Sequence, residues 1–424
     1  MKFALDMSAV PLLTKLGSMF YFGYLAWEYP TSRLLQRLPL GKYSAFNIIA
    51  WGTCLSCFAA VSDFKGAVAV RFFLGLFESA VTPGFALFTS QWYTKREQGL
   101  RTGIWFSFNG WAQIVGGLVA YGIARGTDIH GSAIAPWKIV FLTTGLMTVV
   151  TGFLFLYFMP DNQLNARFLT PEERLQAIER VRVNQQGIGN KHYKVYQLKE
   201  ALTDPLTWAF VFYALVADVP NGGLTSFFSQ LIVSFGYTAE ESLLYGCPSG
   251  AVEIISLVSA GWVGDRVGSR LLVSTFWMWI SFLGIVLMVA LPLSNKGGRL
   301  GAYYLTGASA TPFVALLSLI SSNVAGYTKK TTVAAMFLIA YCVGNIIGPQ
   351  TFRPSDAPRY VPAEITIIVC YGICILDMYF IYWYCRRQNA KKAAIRSAPG
   401  YTKLENQEFL DLTDRENPEF VYTL

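Results

Sequence analysis

The chain has 424 residues, with 34 Lys and Arg against 26 Asp and Glu, a formal net charge of +8. Only 14% of it is charged, where soluble domains carry about 25%; 53% is hydrophobic, 15% aromatic, and the mean hydropathy is +0.39. This excludes a disordered protein, a coiled coil and a nucleic-acid-binding domain, and it assigns the surplus of base to one side of a membrane protein.

A membrane helix needs about 20 mostly apolar residues. Eleven stretches qualify: 12–30, 44–62, 67–90, 102–124, 137–159, 206–233, 243–263, 271–292, 300–324, 332–350 and 364–385. They are apolar nearly all round, which a large soluble helical protein would not be. Gly and Pro inside some of them are tolerated in a helix bundle. Asp6 interrupts the short start and no long apolar run follows Lys2, so no cleaved signal peptide is read there.

Between Pro160 and Pro205 the composition turns polar. Thr170-Pro171-Glu172-Glu173 predicts a helix start, with Thr as cap, Pro in the first turn and acids beside it. Leu175, Ile178 and Val181 follow at helical spacing, and Gly187-Ile188-Gly189-Asn190 breaks the pattern. The expected organisation is a first bundle over 1–160 and a cytoplasmic linker with one amphipathic helix over 161–204. A second bundle covers 205–385 and a cytoplasmic tail 386–424, so five segments precede the linker and six follow it. Arg33/Arg37/Lys42, Lys95/Arg96/Arg101, Arg266/Arg270 and Lys329/Lys330 occupy alternate short loops. The linker and the basic start of the tail fall on their side, which makes that side cytoplasmic and the N-terminus external.

No catalytic or metal-binding set is visible. His130 and His192 are the only histidines. Cys54-Leu-Ser-Cys57 has redox or zinc spacing, but it lies in an apolar run without a second pair and reads as two small helix residues. No cofactor is expected, and a proton gradient would supply the driving force.

Gly261-Trp-Val-Gly264-Asp265-Arg266-Val-Gly268-Ser-Arg270 lies between the seventh and eighth segments. Its glycines allow close helix approach and a tight turn, and Asp265 can accept from a helix N-terminus or pair with Arg. The stretch resembles the cytoplasmic loop motif of the major facilitator superfamily. Pro30-Thr-Ser-Arg33-Leu-Leu-Gln36-Arg37-Leu-Pro-Leu-Gly41-Lys42 is a degraded counterpart in the first half, with Pro and Gln where Gly and Asp are usual. Two copies, one per half, form an internal repeat and place the first segment as helix 2 of a twelve-helix plan, so that helix 1 is missing or replaced by the short start. The stretches Arg71–Phe85, Arg101–Gly110, Asn323–Lys330 and Gly344–Phe352 are similar to the anion:cation symporter family, in its fungal allantoate-permease-like branch. The resemblance covers about residues 17–385.

Arg71 and Glu78 stand seven residues apart in an apolar helix, two turns, so they project from one face about 10 Å apart. Ionisable residues inside a bilayer are costly and mark function by default; a structural pair is the alternative. The resemblance implies that Glu78 is the proton-carrying carboxylate and Arg71 its charge partner or an anion contact, opposite an Asp-Arg pair on helix 1 that this chain lacks. By position it also implies Tyr24, Gln113 and Asn345 as substrate-contacting residues. Asn109, Asn221 and Asn323 are further pathway residues, and Asp218 and Glu253 are intramembrane acids of the second half. For each, a helix–helix hydrogen bond is the competing role. Ala112-Gln113-Ile-Val-Gly116-Gly117 lacks the Pro frequent in exporters, which favours symport.

The resulting expectation is an all-α polytopic membrane protein of the major facilitator fold, with about eleven helices in two pseudo-symmetric bundles (5 + 6). It would work as a monomer in the lipid bilayer, at the plasma membrane rather than the vacuole, as a proton-coupled symporter of a small organic anion such as a ureide or a vitamin-like carboxylate. An efflux carrier for a secondary metabolite, a non-transporting receptor and a truncated product without transport are the alternatives. Gly261, Gly264, Asp265, Arg266, Gly268 and Arg270 would form the gating loop.

Overall fold

The computed structural model describes residues 10–94, 96–182, 193–356, 359–399, 401 and 411–424. All eleven expected segments are helical. The first half holds α1 (Val10–Arg37), α2 (Leu40–Cys57), α3 (Phe64–Glu78) and α4 (Val81–Trp92) as one broken segment, α5 (Gln98–Phe106) and α6 (Phe108–His130) as another, and α7 (Pro136–Phe158). The linker carries α8 (Pro171–Arg182) and α9 (Val195–Thr203). The second half holds α10 (Pro205–Ser234), α11 (Ala239–Tyr245) with α12 (Cys247–Val267), and α13 (Arg270–Ala290). It is completed by α14 (Lys296–Thr306) with α15 (Ala310–Asn323), α16 (Tyr327–Ile347) and α17 (Val361–Arg396).

Among the described residues, eight helices are long and apolar enough to cross a membrane, or nine with α9–α10, a pair bent by 64°. Two expected spans, α1 and α5–α6, fall short of that apolarity. The reason lies in the packing. These two join the halves, α1 against α16 and α5–α6 against α12, so part of their surface meets protein rather than lipid and carries Glu28 and Gln113. At the second contact Gly110 and Gly250 face each other, and a side chain on either would run into the other's carbonyl.

The linker start forms as its residues dictate. The Glu173 N–H donates to Thr170 Oγ1 at 3.3 Å and the Thr170 N–H to Glu173 Oε2 at 2.8 Å, a reciprocal cap. The expected break at 187–190 lies outside the described residues. A second linker helix, α9, was not expected, and α17 runs eleven residues past the predicted end of its span at Cys385, to Arg396. The tail segment 411–424 also folds back onto the linker-side ends of the second half. Buried Lys329 Nζ meets Asp204 at 2.7 Å, Asp414 at 2.8 Å and Glu200 at 2.9 Å. Lys194 pairs with Asp411 at 2.9 Å; partial burial pulls its ammonium down, but the carboxylate outweighs that and raises it. Burial and the Asp414 carboxylate at 2.8 Å both push the Tyr422 hydroxyl up.

Candidate functional site

The Asp63 carboxylate accepts the Gly66 N–H at 3.0 Å and starts α3. The helix ends at Glu78, and the segment resumes at Val81 with Pro83, which has no N–H to continue an unbroken ladder. Glu78 therefore sits at a helix break. Arg71, two turns earlier, stays on the same face, but the two form no ion pair within 4.0 Å. The Arg71 guanidinium lies 5.4 Å from the Phe58 ring centroid, and its buried Nε has no hydrogen-bond partner among the described residues. Glu78 likewise receives no hydrogen bond from them. Such a pair can hold an anion at the guanidinium and exchange a proton at the carboxylate.

Tyr21 carries this site across to the other half. Its hydroxyl lies in electrostatic range of Arg71 and Glu78 on α3 and of Asp218 on α10. Its ring meets Tyr341 of α16 edge-on at 5.9 Å, and buried Tyr24 meets the same Tyr341 at 5.8 Å. One turn on, fully buried Asn345 donates from Nδ2 to Asp218 Oδ1 at 3.1 Å. Asn221 Nδ2 donates to Asn345 Oδ1 at 3.0 Å and to Asp218 Oδ1 at 3.4 Å. This contact needs α10 and α16 backbone to backbone. A side chain at Gly222 would strike Asn345, and one at Gly344 would strike Leu215 and Asp218.

Glu78, Arg71, Tyr24, Asn221 and Asn345 thus share one region with Asp218. Gln113 does not reach it; its Nε2 donates to the Gly246 carbonyl at 3.2 Å and ties α6 to the α11–α12 break. Asn109 is exposed on the first turn of α6, and half-buried Glu253 lies on α12. Asn323 requires a correction. It is fully buried at the end of α15 and exchanges two hydrogen bonds with Thr423, at 2.7 and 2.8 Å, so it holds the tail and lines no central pathway. Glu28 was overlooked. It is fully buried on α1, with Ser32 Oγ at 3.4 Å from Oε1 and no partner for Oε2 among the described residues. An acid two residues before Pro30 in an apolar run was the available signal.

The loop motif forms a latch. Asp265 Oδ1 accepts from Arg270 Nε at 2.7 Å, while Oδ2 accepts the Leu100 N–H at 2.7 Å, in the first turn of α5 in the opposite half. Gly99 leaves room for that carboxylate, and Gly261 packs against the Gly99 carbonyl. Gly264 brings the α12 backbone against Arg270, and Gly268 takes the left-handed φ of 74° that ends α12. Arg270 also reaches Ser318 Oγ at 2.9 Å, and the Arg266 guanidinium lies on the Trp262 ring at 3.9 Å. Among the described residues, the one carboxylate cluster with metal-ligand spacing is Glu200, Asp204 and Asp414, and the Lys329 ammonium already sits among its three carboxylates.

The model of the Major Facilitator Superfamily matches residues 3–349. The chain is 40% identical to uncharacterized transporter C417.10 of Schizosaccharomyces pombe, over 96% of this chain and 79% of that one. It is 37% identical to the allantoate permease of Saccharomyces cerevisiae, over 96% and 77%. Among solved structures, the proton:xylose symporter XylE aligns with a TM-score of 0.67 at 14% identity, over 89% of this chain and 86% of that one, a likeness of fold.

Proposed function

We propose, from the premise that this chain belongs to the Major Facilitator Superfamily and is a membrane transporter, that it is a proton-coupled symporter of a small organic anion. The observation that carries this reading is the Arg71–Glu78 face of α3: a guanidinium whose buried Nε has no hydrogen-bond partner among the described residues, two turns from a carboxylate at a helix break. In such a site the anion occupies Arg71 while Glu78 takes up a proton, and neither is left as an unpaired charge when the halves rock. The allantoate permease relative supports an anionic substrate. The Asp265–Leu100 latch closes the linker side between the halves in this conformation, and its release would open the site to the cytoplasm. The plasma membrane is the proposed location, and the monomer the working unit.

The test is uptake of radiolabelled allantoate into cells and vesicles under an imposed pH gradient. Glu78→Gln is expected to abolish accumulation against a gradient yet keep exchange of internal for external substrate. Accumulation by that variant at the wild-type level would sink the proton role. Arg71→Leu is expected to lose both uptake and exchange.

A further inference from the structure

Residues 411–424 lie along the linker-side ends of four helices. The Asp411 carboxylate accepts the Tyr327 N–H of α16 at 2.8 Å. The Asn417 and Pro418 carbonyls accept from Lys392 and Arg396 of α17 at 2.7 and 2.8 Å. Asn389 of α17 exchanges two hydrogen bonds with Tyr422, both at 2.8 Å, as Asn323 of α15 does with Thr423. Phe420, Tyr422 and Leu424 rest on the apolar core. The Leu424 carbonyl accepts the Arg270 N–H, the first of α13, at 2.6 Å. That last contact falls on the latch. Ser269 stands in the capping position of α13, yet its hydroxyl makes no bond to the helix and is buried without a partner among the described residues. The Leu424 carbonyl caps the helix instead. An uncapped helix N-terminus is an unsatisfied donor at the positive end of a dipole, and it attracts a carboxylate. Asp265 is already bonded to the same residue, Oδ1 to Arg270 Nε at 2.7 Å, while its Oδ2 holds the Leu100 N–H of the first half at 2.7 Å. With Leu424 in place the Arg270 N–H is taken and Asp265 stays on Leu100. With Leu424 lifted, Asp265 is drawn to cap α13 itself, at the expense of Leu100.

We infer that residues 411–424 form a releasable strap, which holds the linker-side gate shut by capping α13 and so reserving Asp265 for Leu100. This rests on the reading of the Asp265–Leu100 contact as a latch between the halves. The helices that the strap grips all belong to the second half, so it can lift while the halves stay together. Its grip is a row of hydrogen bonds and ion pairs, and one hydrogen bond shifts an equilibrium about 2- to 10-fold. Loss of two such bonds is therefore enough to raise the lifted fraction, and lifting makes opening to the cytoplasm easier.

The test measures how fast a membrane-impermeant maleimide labels Thr102→Cys from the cytoplasmic side of vesicles that hold the full chain. Thr102 is buried on α5, beside a crevice shared with Ser318 and Ser321 of α15. Labelling of the chain without that substitution is subtracted. Asn389→Ala removes the two bonds to Tyr422, and Asn323→Ala the two to Thr423. Each is expected to label about 3- to 10-fold faster. If Asn323→Ala fails to reach the membrane, Asn389→Ala decides alone, since alanine favours the helix it stands in. A general loosening of the fold would also speed labelling, so each variant is repeated with Asp265→Asn. A strap that acts through the latch adds little once the latch is cut, and the further increase is expected to stay below about twofold. Unchanged labelling in the Asn variants, beside faster labelling in Asp265→Asn, overturns the strap and leaves the latch standing. Full additivity with Asp265→Asn overturns the strap as well. Asp265→Asn without effect removes the latch reading and the strap with it.

Discussion

The two halves treat buried cations in opposite ways. In the second half, buried cations are paired. Lys329 has three carboxylates within 2.9 Å, Arg299 has Glu364 at 3.3 Å and the Met288 carbonyl at 3.1 Å, and Arg270 has Asp265 at 2.7 Å. In the first half, Arg71 and Glu78 share a helix face without pairing each other, and one Glu28 oxygen has no partner among the described residues. Packing follows the same division. The large apolar core runs through α10, α13, α15, α16 and α17, whereas the first half has one small cluster at Leu35, Leu40 and Phe88. There the helices meet largely through glycine, as where Gly75 of α3 lies on the Phe20 carbonyl of α1, a device the second half uses at Gly222 and Gly344 in addition to its core. A paired charge in a dense core resists change, and an unpaired charge between sparsely packed helices can respond to a ligand. The second half is the frame and the first carries the responsive chemistry, with Asp218 the point where the frame reaches into the site.

The sharpest way to break this contrast is to delete one cation from each half. Lys329→Met leaves Glu200, Asp204 and Asp414 uncompensated, and removal of one member of a buried ion cluster costs about 3–5 kcal/mol. The expected result is a large fall in thermal unfolding temperature or loss of the protein from the membrane. Arg71→Leu leaves no ion pair broken, so it is expected to unfold near the wild-type temperature while transport is lost. Equal destabilisation by the two would refute the division. Gly110→Val comes next. Its side chain would overlap the Gly250 carbonyl between the halves, and overpacking costs about 1–3 kcal/mol. Because the strain falls on the surface that must move, uptake is expected to drop at least roughly tenfold with membrane insertion retained, measured on the same cells.

A smaller effect is expected at the latch. Asp265→Asn loses the ion pair with Arg270 and weakens acceptance of the Leu100 N–H. A cysteine placed at Thr102, buried on α5, is expected to react several-fold faster with a thiol reagent from the cytoplasmic side in this background. An unchanged labelling rate would mean that the contact does not hold the halves together.

Most of the frame was legible in the sequence, because apolar length and caps are local. The eleven segments, the Thr170–Glu173 cap and the motif Gly261–Arg270 each follow from residues close together along the chain. Both roles read for Asp265, acceptance from a helix N-terminus and pairing with Arg, occur together. Arg71 and Glu78 stood out because a charge in an apolar run does. The pairing of Asp218 with Asn345 did not, since it joins residues 127 apart and depends on glycines that show only that helices approach, not which ones. The docking of Asp414 on Lys329 is hidden for the same reason, and Asn323 looked like a pathway residue when its partner was the tail. The break after Glu78 was concealed by hydropathy, which is continuous across 67–90 while the backbone ladder is not.

The smallest expected effect tests whether the linker itself binds to the first half. Arg180 of α8 reaches Glu97 Oε1 at 2.5 Å, and Glu97 Oε2 accepts from the N–H and hydroxyl of Thr94 at 3.1 and 3.0 Å. Slight burial pushes the Glu97 carboxyl up, but the Thr94 bonds and Arg180 outweigh it and hold it below its ordinary value. A carboxylate depressed in the folded state stabilises that state above its ordinary pKa of about 4.3 and loses the contribution as the pH falls through the lower folded value. Both side chains are substantially exposed, at 53% and 34%, and exposed pairs contribute about 0.2–1 kcal/mol. Glu97→Gln is therefore expected to lower the unfolding temperature slightly at neutral pH and low salt. The difference should shrink as salt rises and vanish in acid below the Glu97 titration. A difference that persists in acid would assign the effect to the Thr94 hydrogen bonds, which glutamine keeps in part, and would leave the linker held by the packing of α8 on α4 rather than by charge.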